Sequence, residues 1–173
     1  MPIATASQTI GPYWHLIEDP SWADLTRFGA VGEKIELTGI VTDGDGAPFA
    51  DVCIELWQAD PAASDTFPAF GRSRTDADGR YRFVTLKPGP VPGRGNTTQA
   101  PHLALWVLGR GLMRGLATRV YFAGEARNET DPVLTSIEDP ARRATLIARP
   151  DGAATWRMDI RLQGAGETVF FDV

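Results

Sequence analysis

The sequence predicts a mainly β domain of the sandwich type, with an N-terminal arm and one short helix. Three observations predict it. Several short runs alternate apolar and polar residues, the period-2 pattern of half-buried strands. Eighteen glycines and 13 prolines are spread along the chain and not pooled in a linker, which fits short elements joined by tight turns. Roughly seven strand candidates follow one another with turn residues between them, and they lack the intervening helices that a parallel α/β sheet needs. A length of 173 residues allows one domain with a substantial core and little room for a second.

Residues 1–32 lack strand periodicity and read as an arm, and residues 33–173 read as the sandwich domain. Lys34 to Thr42 sets Ile35, Leu37, Gly39 and Val41 against Lys34, Glu36 and Thr38, and Asp43-Gly44-Asp45-Gly46 then turns the chain. Val52 to Gln58 reads as the hairpin partner of that strand. Ala59 to Gly71, rich in Pro, Ala, Ser and Asp, reads as an irregular span. The turn Asp76-Ala77-Asp78-Gly79 leads into Tyr81, Phe83 and Thr85 alternating with Arg80, Arg82 and Val84, until Lys87-Pro88-Gly89-Pro90 stops the strand. Leu103 to Leu108, Thr118 to Phe122, Thr155 to Leu162 and Thr168 to Phe171 supply the remaining strands. The one helix has Asp139 as its cap and Pro140 in its first turn, and runs through Ala141 to Ala148 until Pro150.

The net charge of −5 argues against a polyanion surface, so nucleic acid is not an expected partner. No apolar run approaches the roughly 20 residues that cross a bilayer, so no membrane partner is expected. The N-terminal residues have neither the basic segment nor the apolar segment of a secretory signal, and the single cysteine, Cys53, cannot form an internal disulfide; both point to a cytoplasmic protein. Two histidines (His15, His102), one cysteine and three tyrosines (Tyr13, Tyr81, Tyr121) are a poor supply for metal catalysis carried by this chain alone.

The two Asp-Gly turns are not calcium loops, because the first has Ala47 and Ile54 where a loop needs an oxygen ligand and a glutamate, and the second has Arg80 at its fifth position. No Gly-x-Ser-x-Gly elbow, P-loop or dinucleotide glycine pattern occurs. His102 begins a strand. A His-x-His pair there would put two imidazoles on one face, but the second position is Ala104. Arg110 stands between Gly109 and Gly111 after a hydrophobic strand; it can clamp a carboxylate bidentately or form a surface ion pair, and sequence physics leaves both open. The arm run Thr9-Ile10-Gly11-Pro12-Tyr13-Trp14 joins a rigid Gly-Pro corner to two aromatics, which either wall a pocket or anchor the arm.

Taken together, Ser7-Gln8-Thr9-Ile10-Gly11-Pro12-Tyr13, Leu56-Trp57-Gln58-Ala59-Asp60, Thr85-Leu86-Lys87-Pro88-Gly89, Ala100-Pro101-His102, Thr118-Arg119-Val120-Tyr121-Phe122 and the run from Asp159 to Asp172 resemble the intradiol ring-cleaving dioxygenases. The resemblance runs in order from Ser7 to the C-terminus. It implies an intradiol-dioxygenase-like β-sandwich and, most closely, the α-type chain of a two-chain enzyme whose catalytic β chain holds a non-haem Fe(III) on two tyrosines and a His-x-His pair. Carried onto this sequence, the family's ligand positions fall on His102, Ala104, Val91 and the tyrosine-free segment Ala63 to Thr66. Three of the four ligands are therefore lost, because Val and Ala offer ferric iron no anionic or imidazole donor. The resemblance then implies no metal in this chain, Fe(III) in a partner β chain, protocatechuate and O2 as substrates, and a higher-order αβ hetero-oligomer. It places Thr9, Gly11, Pro12, Tyr13 and Arg110 beside the substrate. A metal-free sandwich used only for binding or assembly is the competing expectation.

Overall fold

The computed structural model describes residues 6 and 9–172. Ser7 and Gln8 of the arm motif lie outside the described residues. The strands are β1 (Lys34–Thr42), β2 (Cys53–Trp57), β3 (Phe70–Arg74), β4 (Arg80–Leu86), β5 (Val91–Pro92), β6 (Thr98–Gln99), β7 (His102–Leu108), β8 (Leu116–Phe122), β9 (Ile147–Pro150), β10 (Thr155–Arg157) and β11 (Ile160–Arg161). Two short helices, α1 (Pro132–Thr135) and α2 (Pro140–Ala144), precede β9.

Hydrogen bonds run without a break through β4-β1-β10-β9-β8-β7-β2-β3, and β11 continues beyond β10 along β1. The sheet curls into two layers, β4-β1-β10 facing β8-β7-β2-β3, with β9 turning the corner. It does so by pairing antiparallel to β10 and parallel to β8. Alternation explains which side of each strand meets the core. In β1, Ile35, Leu37, Gly39 and Val41 are buried and the residues between them are not, and β7 buries Leu103, Leu105 and Val107 in the same way. These side chains form one apolar cluster with Phe83, Ile54, Leu56, Val120 and Phe122. Each fully buried side chain of this size is worth about 1.5–3 kcal/mol relative to exposure.

The side opposite β9 is where β3 and β4 present their free edges. Within the arm, Trp22 to Leu25 covers that gap: the Leu25 amide donates to the Val84 carbonyl at 2.8 Å, and Leu25 is fully buried against Gly71.

The hairpin expected between β1 and Val52–Gln58 is not formed. The Asp43 turn closes as expected, with the Asp43 carboxylate accepting from the Asp45 and Ala47 amides. The Val41 amide, however, donates to Gly79, and the edge of β1 is taken in full register by β4. The chain therefore leaves at Asp51, whose φ is 61°, and β2 enters the other layer between β3 and β7. Part of the expected irregular span is β3. The helix is capped by Asp139 as expected but ends at Ala144, because Ile147 and Ala148 pair with Tyr121 and Phe122 in β9. Thr168 to Phe171 is irregular apart from one bridge between Phe171 and Ala117.

Gly39 shows why Thr155 to Leu162 is two strands and not one. The chain bulges at Met158 and Asp159: the Met158 carbonyl lies over Gly39 and accepts from the Tyr81 hydroxyl at 2.6 Å, and the Asp159 carboxylate accepts from the Ile40 amide at 3.0 Å. A Cβ on residue 39 would overlap the Met158 carbonyl oxygen. Gly39→Ala is expected to destabilise the fold by about 1–3 kcal/mol, read as a lower denaturant midpoint.

Candidate functional site

The outer face of the β3-β2-β7-β8 layer carries His102 and Ala104 of the residues singled out in the sequence. Register places His102 opposite Tyr121, Ala104 between Trp57 and Arg119, and Glu55 between Trp106 and Arg72. These residues line up because alternate positions of each strand point the same way. Trp57, Phe70, Ala104, Trp106, Arg119 and Phe171 line an open groove of about 610 Å³ on this face.

The ligand-type positions of this chain do not assemble a metal centre. Val91 and Ala104 carry no donor atom, and the segment Ala63 to Thr66 contains no tyrosine. The Nδ1 of His102 is 2.8 Å from the Ala100 carbonyl, its ring lies 5.5 Å from that of Tyr121, and burial pulls the imidazole below its usual range. Tyr121 accepts from Arg119 at 3.2 Å and donates to Asp131 at 3.2 Å, and burial pushes its phenol above its usual range. The Tyr81 hydroxyl is committed to Met158 inside the sandwich, and Tyr13 stands exposed on the arm. Among the described residues no group of three or more His, Cys, Asp or Glu side chains could hold a metal ion. The residues present do not fit the family's iron.

Arg110 lies past the other end of β7. His102 begins that strand and Leu108 ends it, so the two ends are roughly 20 Å apart at the rise of an extended chain. The Nη2 of Arg110 is 3.2 Å from Asp51 Oδ2, and its side chain remains 62% exposed. Asp51 Oδ1 is 3.8 Å from Nη1 of Arg74, and Nε of Arg74 is 3.3 Å from Glu18 of the arm. A chain of alternating charges thus ties Arg110 to the arm through residues that sequence reasoning did not single out. Positions 18, 51, 74 and 110 are distant in sequence. The one available signal was Asp51, an acidic residue just before a strand, at a corner that Asp tolerates in the left-handed region.

In the arm, Thr9, Pro12 and Tyr13 are exposed and Gly11 is half-buried, with φ 80° that favours glycine. Trp14 is buried and starts the 3-10 turn Trp14–Leu16, so this aromatic anchors the arm, whereas Tyr13 points to solvent. Tyr13, Leu16 and Ile17 are each more than 70% exposed, an apolar strip beside the arm's tether at Glu18. The ion pairs of the described residues join Arg110 to Glu18 but not to Thr9–Tyr13. Cys53, buried in β2 with its thiol pushed up to about 12 by burial, has no reactive character.

Comparison with known proteins gives these features a family. The Dioxygenase family model (Dioxygenase_C) matches residues 17–164. The chain is 41% identical to the protocatechuate 3,4-dioxygenase alpha chain of Pseudomonas putida, over 97% of this chain and 96% of that protein. It is 40% identical to the alpha chain of the Burkholderia cepacia enzyme, over 98% and 97%, and 32% identical to that organism's beta chain, over 94% and 77%. Among solved structures it resembles the dioxygenase domain of a dioxygenase carbohydrate-binding protein fusion from Streptomyces sp. SirexAA-E, with TM-score 0.66 and 28% identity over 91% of this chain and 97% of that one. Catechol 1,2-dioxygenase from Acinetobacter sp. ADP1 shares the fold at TM-score 0.60 and 20% identity, over 77% of this chain and 53% of that one. With this fold, and with a family match spanning most of its length, the chain belongs to the intradiol dioxygenases, a family of non-haem iron enzymes.

Proposed function

We propose that this chain is the metal-free α-type subunit of a protocatechuate 3,4-dioxygenase, assembled with a β chain that holds the iron. The reaction is the insertion of both atoms of O2 with cleavage of the ring bond between the two hydroxyl-bearing carbons of 3,4-dihydroxybenzoate, giving 3-carboxy-cis,cis-muconate. Similarity to alpha chains over nearly their whole length supports the reading, as does the weaker similarity to a beta chain, which the two related chains of one enzyme would share.

The observation that carries it is the separation along β7. Arg110 and its ion-paired arm lie at one end of the strand, and His102, the one ligand-type residue that remains, and the emptied position Ala104 lie at or toward the other. Arg110 therefore cannot serve a centre built on this chain's own β7, and its exposed guanidinium is free to serve one on a neighbour. The partner's Fe(III) supplies activation of the bound catecholate toward O2. This chain supplies shape and charge: Thr9, Gly11, Pro12 and Tyr13 wall the ring, and Arg110 favours an anionic substrate. The exposed strip Tyr13, Leu16 and Ile17 is then covered in a hetero-oligomer of αβ units. Among the described residues no helix is long and apolar enough to cross a membrane, and we place the enzyme in the cytoplasm.

Expression alone and together with a β chain tests this. The chain alone is expected to bind no stoichiometric iron, to lack the visible tyrosinate-to-iron absorption and to cleave no protocatechuate, with all three appearing in the co-expressed complex. Stoichiometric iron with ring cleavage by the isolated chain overturns the reading.

A further inference from the structure

Arg110 belongs to an exposed loop between two glycines, and a guanidinium on so free a backbone loses about 2 kcal/mol of rotamer freedom when a ligand fixes it. The structure removes part of that cost beforehand. Asp51 reaches Nη2 of Arg110, and this leaves the remaining N–H groups of the fork for a second carboxylate. Asp51 is itself held firmly. Its amide donates to the Thr75 carbonyl at 3.3 Å, the Thr75 hydroxyl accepts from Val52 and donates to Phe49, each at 2.9 Å, and the Thr75 amide closes the corner on the Val52 carbonyl at 2.9 Å. Behind Asp51, Arg74 balances its charge and is in turn paired with Glu18, the most enclosed member of the chain with its side chain 13% exposed.

We propose that Asp51 is the positioning residue for Arg110, orienting its guanidinium toward the substrate carboxylate, and that Arg74 and Glu18 hold the substrate-facing arm in register with it. This rests on the reading of Arg110 given above and names the residues behind it. Fixing the fork before binding raises affinity for the carboxylate without touching the reacting ring carbons, so the effect belongs in KM and not in kcat.

The test is Asp51→Asn in the co-expressed complex, because asparagine accepts the left-handed backbone at φ 61° and keeps the shape while losing the charge. We expect KM for protocatechuate to rise about 3- to 10-fold with kcat little changed, as for loss of pre-organisation in one charged contact. Inhibition by 4-hydroxybenzoate should weaken in parallel, and inhibition by 4-hydroxybenzamide, which has no carboxylate, should stay the same. Glu18→Gln should shift KM the same way by less. The double variant Asp51→Asn with Arg110→Ala should match Arg110→Ala alone, since nothing is left to position. If Arg110→Ala raises KM but Asp51→Asn does not, or if the acid and the amide weaken equally, the role of Asp51 is overturned and the reading of Arg110 stands. An Arg110→Ala complex with unchanged KM removes that reading and the role of Asp51 with it.

Discussion

Arg110→Ala is expected to raise KM for protocatechuate about 10- to 100-fold in the two-chain complex while kcat changes little, the loss that goes with one hydrogen-bonded charged contact. The size follows from where the side chain ends. In this chain alone the guanidinium is 62% exposed and its only carboxylate partner among the described residues is Asp51, at 3.2 Å, so its pairing inside the chain is weak. In the proposed complex, enclosed between two chains, the same guanidinium would face a substrate carboxylate with less water to screen it, and the contact would strengthen. Arg110→Lys should recover only part of the affinity, because an ammonium is a point charge that cannot hold Asp51 along one edge and a carboxylate along another. Steady-state kinetics of the purified complexes decide the matter: unchanged KM in the alanine variant removes Arg110 from the pocket.

Most of the strand framework was legible in the sequence because burial of one face leaves a period of two. β1 and β4 carry that pattern and stand where it predicts them, while β7 and β8 stand where the further strand candidates Leu103 to Leu108 and Thr118 to Phe122 were expected, on apolar runs without strict alternation. Pairing was less legible. Nothing local tells Val52 to Gln58 that the edge of β1 is already occupied by β4, a partner whose register is set about forty residues further on. β3 was hidden because its outward residues are Phe70, Arg72 and Arg74 and two of its other positions are Gly71 and Ser73, so no apolar alternation marks it; its place is set by pairing with β2 and by the Arg72 to Glu55 ion pair. Ile147 and Ala148 have adequate helix propensity, yet the backbone partners offered by β8 draw them into β9.

The candidate site divides in the same way. Arg110 could be singled out because flanking glycines are a local signal, and Ala104 and Val91 because a donor is missing where the family resemblance puts one. Glu18 and Arg74 carry no local signal, and Asp51 carries only that of an acidic residue just before a strand. They become a site only when the arm, the corner before β2 and the end of β3 converge, and that convergence is a property of the curled sheet.

Asp131→Ala is expected to lower stability by about 3–5 kcal/mol, the usual cost of stripping the partner from buried hydrogen-bonding groups. Asp131 is fully buried, and its carboxylate accepts from the Ala100 amide at 2.7 Å, the Val133 amide at 2.8 Å, the Leu134 amide at 2.9 Å and the Tyr121 hydroxyl at 3.2 Å. It caps α1 and at the same time fixes the corner between β6 and β7. Alanine leaves the Ala100 amide buried without an acceptor and uncaps the helix. In a chain of this size the midpoint of thermal unfolding should fall on the order of 10 °C. Asp131→Asn should cost less, about 1–3 kcal/mol, because its oxygen still accepts on one side while its amide nitrogen meets a donor on the other. The effect should also be separable from catalysis. Asp131 fastens the start of β7 near His102, and Arg110 stands past that strand's far end, so complexes of Asp131→Asn that assemble should keep their KM for protocatechuate while melting earlier. A raised KM in those complexes would mean that strain at one end of β7 reaches the other, and that the strand does not isolate His102 and Ala104 from the arginine proposed to serve the neighbour.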